Sequence, residues 1–224
     1  MTVPFREAYQ AKSTFVENPK YPTGFYRVRG KRFLDLVIII ASLPFVLPMI
    51  AVLALLVALD GGKPFFTQKR VGRHGRTFRI LKLRSMVPNA EAQLQAFLKK
   101  DPVARDEWDR TQKLKCDPRI TRVGRLLRRS SLDELPQLWN VLKGDMSLIG
   151  PRPMMTDQVD LYPGEAYFSL RPGITGPWQV SERNESEFAD RARFDATYLK
   201  ELSFRTDLKI LVRTFGVMMR CTGY

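Results

Sequence analysis

Histidine and cysteine are scarce in the sequence. His74 is the only histidine among 224 residues, and Cys116 and Cys221 are the only cysteines. One histidine excludes zinc clusters with several imidazole ligands, and it excludes a Ser-His-Asp triad unless His74 serves in it. Two cysteines cannot form a disulfide framework, so we expect free thiols in a reducing compartment. Carboxylates, lysine, arginine, hydroxyls and a hard cation remain as candidates for chemistry.

Acidic residues are also few, which leaves a strong positive charge. The chain has 37 Lys and Arg against 23 Asp and Glu, a formal net charge of +14. This excess predicts a polyanionic partner: nucleic acid, an anionic membrane surface or a phosphorylated substrate. A hydrophobic content of 44% indicates a folded chain and not a disordered basic tail.

One long segment, Leu36–Leu59, carries no charge. Its length suits a membrane span, but Pro44 and Pro48 near its middle predict a sharp break, and Ser42 is placed to help satisfy carbonyls that Pro44 frees. Both flanks are basic, and basic flanks stay on the cytoplasmic side of a membrane. We therefore expect a re-entrant helix–break–helix hairpin. A straight transmembrane helix and a buried core helix are the alternatives.

The rest of the chain predicts an α+β fold, mostly helical with a small β-hairpin. The hairpin is expected within Phe65–Arg84, with its turn at Gly72–Gly75. Apolar spacing predicts helices over Pro88–Lys100, Ile120–Leu127, Phe188–Leu202 and Asp207–Arg220, and loops over Gly144–Pro153 and Gly173–Pro177. The Ile120–Leu127 helix is basic and amphipathic, which suits a membrane interface or an ordinary surface helix.

The predicted domains follow from this division of the chain. Residues 1–30 form a flexible basic arm, residues 31–60 the re-entrant membrane hairpin, and residues 61–224 a domain on the cytoplasmic face.

Two adjacent carboxylates are the first candidates for chemistry. Asp133 and Glu134 follow the arginine-rich segment Arg122–Arg129, and Pro136 indicates that a helix begins near Leu132–Asp133. Acidic residues at a helix start can simply complement the helix dipole. Beside many cations they also suit phosphoryl transfer, because a carboxylate can attack phosphorus or share Mg²⁺ with substrate phosphates. The arginines and the helix start are expected to keep Asp133 ionised.

Three further segments are candidates for binding phosphate or nucleotide. Arg152 lies between two prolines that stiffen its loop, which suits bidentate binding of phosphate. Lys82 and Arg84 lie two residues apart on one face of the predicted strand. The Gly- and Pro-rich segment Arg171–Gln179 could hold a base or a sugar. The structural alternatives are an exposed turn, an ordinary basic strand and a packed connection.

Many short motifs follow one another along residues 31–215. They include Lys31-Arg32-Phe33-Leu34-Asp35, Gln68-Lys69-Arg70-Val71-Gly72, Lys82-Leu83-Arg84-Ser85-Met86, Asp117-Pro118-Arg119-Ile120-Thr121, Leu132-Asp133-Glu134-Leu135-Pro136-Gln137, Gly144-Asp145-Met146-Ser147, Gly150-Pro151-Arg152-Pro153 and Arg171-Pro172-Gly173-Ile174-Thr175-Gly176. Together they resemble the bacterial sugar transferases, which are monotopic phosphoglycosyl transferases. The chain looks like a short member of the type that initiates exopolysaccharide synthesis.

The resemblance implies a reaction. Members of the family move a sugar-1-phosphate, here galactose or glucose, from a UDP-sugar to undecaprenyl phosphate and release UMP. Asp133 matches the family's nucleophile, which forms a phosphosugar-enzyme intermediate in a ping-pong reaction. Glu134 matches the residue that assists acid–base or metal work. The implied cofactor is Mg²⁺, held by Asp133 through a substrate phosphate and also by Glu134.

The resemblance also implies the binding residues, the partners and the location. It implies that Lys82, Arg128 and Arg152 bind phosphate and that the hairpin breaks at Ser42 and Pro44. The residues themselves add Arg84 as a phosphate-binding candidate and Pro48 as part of the break, and they make Thr175, Gly176, Trp178 and Gln179 the candidate nucleotide or sugar loop. Membrane lipid is an implied partner, at the cytoplasmic face of the bacterial inner membrane. A homo-oligomer and downstream glycosyltransferases are further candidate partners.

Two other classes of protein would share the positive charge. A membrane-tethered nucleic-acid-binding protein should carry a known nucleic-acid motif, and the sequence shows none, so no nucleic-acid partner is expected. An adaptor that docks on anionic lipid would explain the charge and the hairpin but not the Asp133-Glu134 pair. Release of UMP from a UDP-sugar distinguishes the enzyme from both.

Overall fold

The computed structural model describes residues 24–112, 114–181 and 187–219. The helices in these ranges are α1 (Lys31–Leu59), α2 (Ala90–Lys100), α3 (Pro102–Thr111), α4 (Arg122–Ser130), α5 (Leu138–Lys143), α6 (Ala166–Ser169), α7 (Pro177–Val180), α8 (Arg191–Glu201) and α9 (Phe204–Met219). The strands are β1 (Phe65–Val71), β2 (Thr77–Leu83), β3 (Ser147–Ile149) and β4 (Gly173–Thr175). The predicted α+β class, mostly helical, is confirmed for these residues.

The predicted β-hairpin is confirmed. Strands β1 and β2 pair antiparallel from Phe65 opposite Leu83 to Val71 opposite Thr77. The other edge of β2 is covered by the buried side chain of Asn140. Its amide donates to the Arg79 carbonyl at 2.7 Å, and its oxygen accepts from the Leu81 N–H at 3.0 Å. This side chain supplies the hydrogen bonds of a missing third strand and fixes α5 against the hairpin.

A second strand pair forms where the sequence predicted loops. Strands β3 and β4 are parallel, with Ser147 opposite Gly173 and Ile149 opposite Thr175. Three-residue strands are too short to show an alternating pattern, which is why the prediction missed them. Their approach depends on glycine: a β-carbon at Gly173 would lie 2.1 Å from the Gly150 nitrogen.

The start of α1 is fixed to the rest of the protein by polar contacts. Asp35 is buried and accepts hydrogen bonds from the Ser147 hydroxyl at 2.8 Å and the Leu148 N–H at 3.1 Å. The Lys31 ammonium lies 2.6 Å from the fully buried Asp207 carboxylate of α9. A π-helical segment, Tyr26–Gly30, precedes α1. The last five residues of the predicted arm are therefore helical, while residues 1–23 lie outside the described ranges.

The end of α1 packs against the same globular part of the molecule. Val57 is buried with Leu83 and Leu127, and its carbonyl accepts a hydrogen bond from Arg84 at 2.9 Å. The middle of the helix is open, with Phe45 79% exposed and Val52 59% exposed. One apolar helix, Tyr26–Leu59, is long enough to cross a membrane among the described residues. Both of its ends are anchored and its centre makes little contact.

The expected break of α1 is not observed as an interruption of the helix. Pro44 and Pro48 both lie inside the continuous helix Lys31–Leu59. Proline is tolerated in apolar helices where nearby hydroxyls rearrange the hydrogen bonds. Ser42 does donate to a carbonyl, but at Ile39 and a distance of 2.8 Å. Pro44 frees the carbonyl of Ile40, four residues before it, so Ser42 acts one residue away from the expected position.

The basic helix α4 packs partly into the protein. Leu127 is buried, whereas Leu126 is 65% exposed. Gly124 allows the helix to approach the end of β2, since a β-carbon there would lie 2.0 Å from the Ser85 carbonyl oxygen. The helix is thus held by one face and presents an apolar residue and arginines on another.

We expect Asp207→Ala to destabilise the fold strongly. The buried carboxylate accepts hydrogen bonds from Tyr26 and Tyr198, both at 2.7 Å, in addition to the Lys31 contact. Removing one partner from a buried ion pair costs about 3–5 kcal/mol. The matched control is Asp109→Ala, which breaks an exposed ion pair with Arg105 and should cost less than about 1 kcal/mol. Thermal unfolding in detergent measures both, and equal losses would contradict the anchoring role.

Candidate active site

A pocket lies where the hairpin, the segment Leu132–Gln137 and the β3–β4 pair meet. Leu132–Gln137 forms a 3₁₀ helix that leads into α5, close to the predicted helix start. The pocket is lined by Arg70, Ile80, Lys82, Glu134, Gln137, Arg152, Pro153, Gly173 and Ile174. Three of these residues are cations and one is a carboxylate, so the pocket wall is positively charged.

Glu134 is held by two of the predicted phosphate-binding residues. The Lys82 ammonium donates to its Oε1 at 2.7 Å, and the Arg152 guanidinium lies 3.6 Å from the same oxygen. The pair joins β2 to the 3₁₀ helix. Three residues that the sequence placed in separate segments are therefore brought together at one carboxylate.

Asp133 is buried beside this group but is not paired in the same way. Its nearest described cation is the Lys82 ammonium, 4.0 Å from Oδ2, and no described residue donates a hydrogen bond to its carboxylate. Burial raises the pKa of Asp133 and Glu134 raises it further, while Lys82, Arg128 and Arg152 lower it. The expectation that arginines and a helix start set its charge state omitted burial, which is the larger effect.

The loop that carries Arg152 is fixed on both sides. Pro151 and Pro153 are buried. The Pro151 carbonyl accepts from the Gly173 N–H at 2.8 Å, and the Pro153 carbonyl accepts from the Arg70 guanidinium at 3.1 Å. The structure therefore agrees with the prediction of a stiff loop and adds the contacts that hold it.

The other two predicted phosphate-binding arginines lie outside the pocket wall. The Arg128 Nε donates to the Ser85 hydroxyl at 2.9 Å, and its charge acts on Asp133. Arg84 follows the end of β2 and donates to the Val57 carbonyl at the end of α1. Strand alternation no longer applies to Arg84 because the strand ends at Leu83. The structure does not bring Arg84 to Lys82.

The predicted nucleotide or sugar loop is packed. Trp178 is 2% exposed and its ring is covered by Arg191, with 4.4 Å from the guanidinium carbon to the ring centroid. Thr175 is hydrogen-bonded to Thr214 at 2.7 Å, and Gln179 is buried. A β-carbon at Gly176 would lie 2.0 Å from the Gly150 carbonyl oxygen. The packed-connection alternative thus holds for Thr175, Gly176, Trp178 and Gln179, while the preceding Gly173 and Ile174 line the pocket.

The sequence analysis did not assign Arg70 and Gln137 to the site. The signal for Arg70 was strand alternation: Arg70 pairs with Phe78, so it shares a face of the hairpin with Ile80 and Lys82. Gln137 is three residues after Glu134, which places both on one side of a 3₁₀ helix. Both residues line the pocket.

The carboxylates fit only one kind of metal site. No group of three or more His, Cys, Asp or Glu residues that could hold a metal occurs within the described ranges. Asp133 and Glu134 supply at most two carboxylates, which suits Mg²⁺ when substrate phosphates and water complete its coordination. Because Glu134 is engaged by Lys82, Asp133 is the freer ligand.

A buried acid lies close to the packed loop. Arg191 is stacked between Trp178 and Phe188, and Asp195 accepts from the Tyr162 hydroxyl at 3.0 Å. Burial raises the pKa of Asp195 to about 7, although the Tyr162 hydrogen bond and the Arg191 charge lower it. This carboxyl therefore titrates near neutrality in the folded protein.

Sequence comparison identifies the class of protein that this fold and site define. The chain matches the sequence model of the bacterial sugar transferases over residues 26–221. That range covers most of the 224 residues, and the chain belongs to the bacterial sugar transferase family.

Individual relatives are similar over the same part of the chain. A UDP-galactose-lipid carrier transferase of Erwinia amylovora is 48% identical over 195 residues, 86% of this chain and 41% of that protein. An undecaprenyl-phosphate galactose phosphotransferase of Salmonella typhimurium is 47% identical over 195 residues, again 86% of this chain and 41% of that protein. The exopolysaccharide production protein ExoY of Sinorhizobium fredii is 45% identical over 90% of this chain and 92% of its own length. The chain thus spans less than half the length of the first two relatives.

The raised pKa of Asp195 predicts a pH-dependent stability. The folded carboxyl binds its proton up to about pH 7, whereas the unfolded one loses it near pH 3.9. The stability that the protonated Asp195 carboxyl contributes is fully present below about pH 4 and is lost as the pH rises through about 7. We expect the free energy of unfolding, compared with Asp195→Asn, to fall by up to about 1.4 kcal/mol per pH unit in this window. Unfolding curves from pH 4.5 to 8 test this, with the exposed-site variant Asp106→Asn as control; a constant difference would contradict it.

Proposed function

We propose that the protein transfers a hexose-1-phosphate, galactose or glucose, from a UDP-sugar to undecaprenyl phosphate and releases UMP. This would be the first membrane step of exopolysaccharide synthesis. The names of two relatives contain galactose, one together with a lipid carrier and the other with undecaprenyl phosphate. A third relative is named for exopolysaccharide production. The pocket supports the same class of substrate, because three cations and one carboxylate line it.

The observation that carries the mechanism is the difference between the two carboxylates. Glu134 is engaged by Lys82 at 2.7 Å, whereas Asp133 lies 4.0 Å from the same ammonium and accepts no hydrogen bond from a described residue. A carboxylate without a close partner is the better nucleophile. Burial raises the pKa of Asp133, and the Lys82 charge opposes this rise. The ionised form, which Lys82 favours, is the one that attacks phosphorus.

The proposed reaction has two displacements at one phosphorus atom. An Asp133 oxygen forms a bond to the sugar-bearing phosphorus, and the bond from that phosphorus to the bridging oxygen breaks, so UMP leaves. An oxygen of undecaprenyl phosphate then attacks the same phosphorus, and the bond to Asp133 breaks. The carboxylate is regenerated, and the product is the lipid diphosphate sugar. Such a covalent intermediate gives ping-pong kinetics.

The surrounding residues have distinct roles in this proposal. Lys82 and Arg152 hold Glu134 and present positive charge to the phosphates, and Arg128 adds charge near Asp133. When bound, Mg²⁺ would be held by Asp133 and would neutralise part of the negative charge on the diphosphate of the substrate. Glu134, which is held by Lys82 at 2.7 Å, would act as the general acid or base.

We also propose a re-entrant position in the inner membrane, in which the continuous helix α1 bends at Pro44 and Pro48 and keeps both ends on the cytoplasmic face. Two facts support this arrangement: both ends of α1 contact the same globular part, and the apolar middle around Phe45 is exposed. A helix that crossed the membrane once would put its ends on opposite sides, and one end could not pack there.

The nucleophile is tested by the first displacement alone. Wild-type protein mixed with UDP-galactose, without lipid acceptor, should release a burst of UMP at most equal to the number of active sites. Asp133→Asn should reduce burst and turnover at least about 10³-fold, because the amide cannot attack phosphorus. Glu134→Gln should slow turnover but still allow some labelling of Asp133. The matched control is Asp106→Asn, which changes an exposed acid of α3.

A contrary outcome for this prediction is well defined. If UMP is released only when UDP-sugar and lipid phosphate are both present, and the kinetics indicate a ternary complex, Asp133 is not a covalent nucleophile. It would then serve as a metal ligand or as a base for the lipid phosphate.

The membrane arrangement is tested by thiol labelling in intact spheroplasts. Gly24→Cys and Lys63→Cys flank the apolar helix and are exposed positions. In a background that lacks Cys116 and Cys221, both cysteines should resist an impermeant thiol reagent and react after permeabilisation. Labelling of only one of them from outside would indicate a single transmembrane span.

A further inference from the structure

The pocket contains hydrogen-bond donors that have no acceptor. Gln137 is 1% exposed, and its Nε2 has no hydrogen-bond partner among the described residues. The Nε of Arg70 is also buried without a partner. Both residues line the pocket. A buried donor without an acceptor is costly, so two such donors on residues that line one pocket indicate that a ligand supplies the acceptors.

The rest of the Arg70 side chain is fixed. One terminal nitrogen donates to the Pro153 carbonyl at 3.1 Å and the other to the Gln68 side chain at 2.6 Å. Burial and the charge of Arg152 lower the pKa of Arg70 to about 10, which leaves it a cation at neutral pH. Its neighbour Arg152 is a like charge. Of the two acids that act on Arg70, Glu134 is already paired with Lys82, and Asp157 is exposed. The missing acceptor is therefore an anion.

Strand register places Arg70 and Gln137 at the opposite end of the pocket from Asp133. Asp133 lies 4.0 Å from Lys82. On β1, Arg70 stands opposite the residue four positions before Lys82 on β2. The 3₁₀ helix leads from Asp133 toward Asn140, whose side chain bonds the β2 backbone at positions 79 and 81, so Gln137 lies further toward Arg70 than Asp133 does. We call this end of the pocket, at Arg70 and Gln137, the opposite wall.

In-line displacement gives this opposite wall a function. In phosphoryl transfer the attacking and the leaving oxygens lie roughly in line on either side of phosphorus. With Asp133 on one side, the leaving phosphate of UMP lies on the other. In the second step the lipid phosphate must attack from the side opposite the Asp133–phosphorus bond. It therefore enters the position that the UMP phosphate has left.

We propose that Arg70 and Gln137 form one phosphate subsite that holds the leaving phosphate of UMP and then the entering phosphate of undecaprenyl phosphate. This inference rests on the proposed function and adds that the donor and the acceptor bind in turn at the same two residues. The common chemistry is a phosphate monoester: the subsite contacts neither the base nor the isoprenoid chain.

Binding to unreactive protein tests the shared subsite. In the Asp133→Asn background, UMP and farnesyl phosphate should each displace the other, while uridine and farnesol should displace neither. Arg70→Gln should weaken both phosphates about 10-fold or more, because it removes a hydrogen bond between charged groups worth about 1.5–3 kcal/mol. The matched control is Lys69→Gln, which removes a cation from the exposed, opposite face of β1 and should change neither affinity by more than about twofold.

Gln137→Met provides a second variant that does not depend on Arg70. It replaces the buried amide with an apolar side chain of similar length and removes the unsatisfied donor. We expect a higher melting temperature, because the buried donor no longer lacks a partner, together with weaker binding of both phosphates. A residue with only a structural role would not give this opposite change in stability and affinity.

The half-reactions separate the possible results. In otherwise wild-type protein, Arg70→Gln should slow both the UMP burst and the transfer from pre-formed phosphosugar-enzyme to lipid phosphate. A loss confined to one half-reaction, or no competition between UMP and farnesyl phosphate, would overturn the shared subsite. If wild-type protein shows no burst and binds neither phosphate, the proposed function fails and not this inference alone.

Discussion

A small apolar cluster connects α1 to the candidate site. Val57 of α1 is buried with Leu83 and Leu127, and Leu132 packs against this cluster. Each of these three leucines is the immediate chain neighbour of a site residue: Lys82, Arg128 and Asp133, respectively. Burial of a side chain of this size contributes about 1.5–3 kcal/mol, so the cluster fixes β2, α4 and the 3₁₀ helix together. A change in the position of α1 would reach Asp133, the proposed nucleophile, through the adjacent Leu132.

The fold depended on patterns that the sequence displays over many residues, and those elements were predicted correctly. The hairpin, α2, α8 and α9 have regular apolar spacing over a hairpin or several helical turns, so their existence followed from periodicity. Strands β3 and β4 have three residues each, and their pairing depends on glycines that allow backbone contact. Contacts of this kind are non-local and leave no periodic signal.

The site was predictable where a residue type has one chemical use, and less so where a cation has several. Asp133, Glu134, Lys82 and Arg152 were brought together as expected. Arg84 was misplaced because a guanidinium also caps the carbonyls at a helix end, and here it binds the Val57 carbonyl. Trp178 is buried under Arg191, a contact between the consecutive helices α7 and α8 that periodicity within either helix does not indicate. The tertiary structure decides whether a cationic side chain binds a ligand, a helix carbonyl or an aromatic ring.

The excess of cations around the pocket couples ligand binding to stability. Arg70 and Arg191 both have a pKa lowered by burial and then by the charge of Arg152, to about 10 and about 9. Three guanidinium groups that repel one another destabilise the folded state, and a bound phosphate removes part of that repulsion. A ligand that binds only the folded state stabilises it by about 2.7 kcal/mol when present at 100 times its dissociation constant. Under the proposed function, the substrate phosphates would complete a charge arrangement that the described residues alone leave unbalanced, and they would supply the acceptors that Arg70 and Gln137 lack.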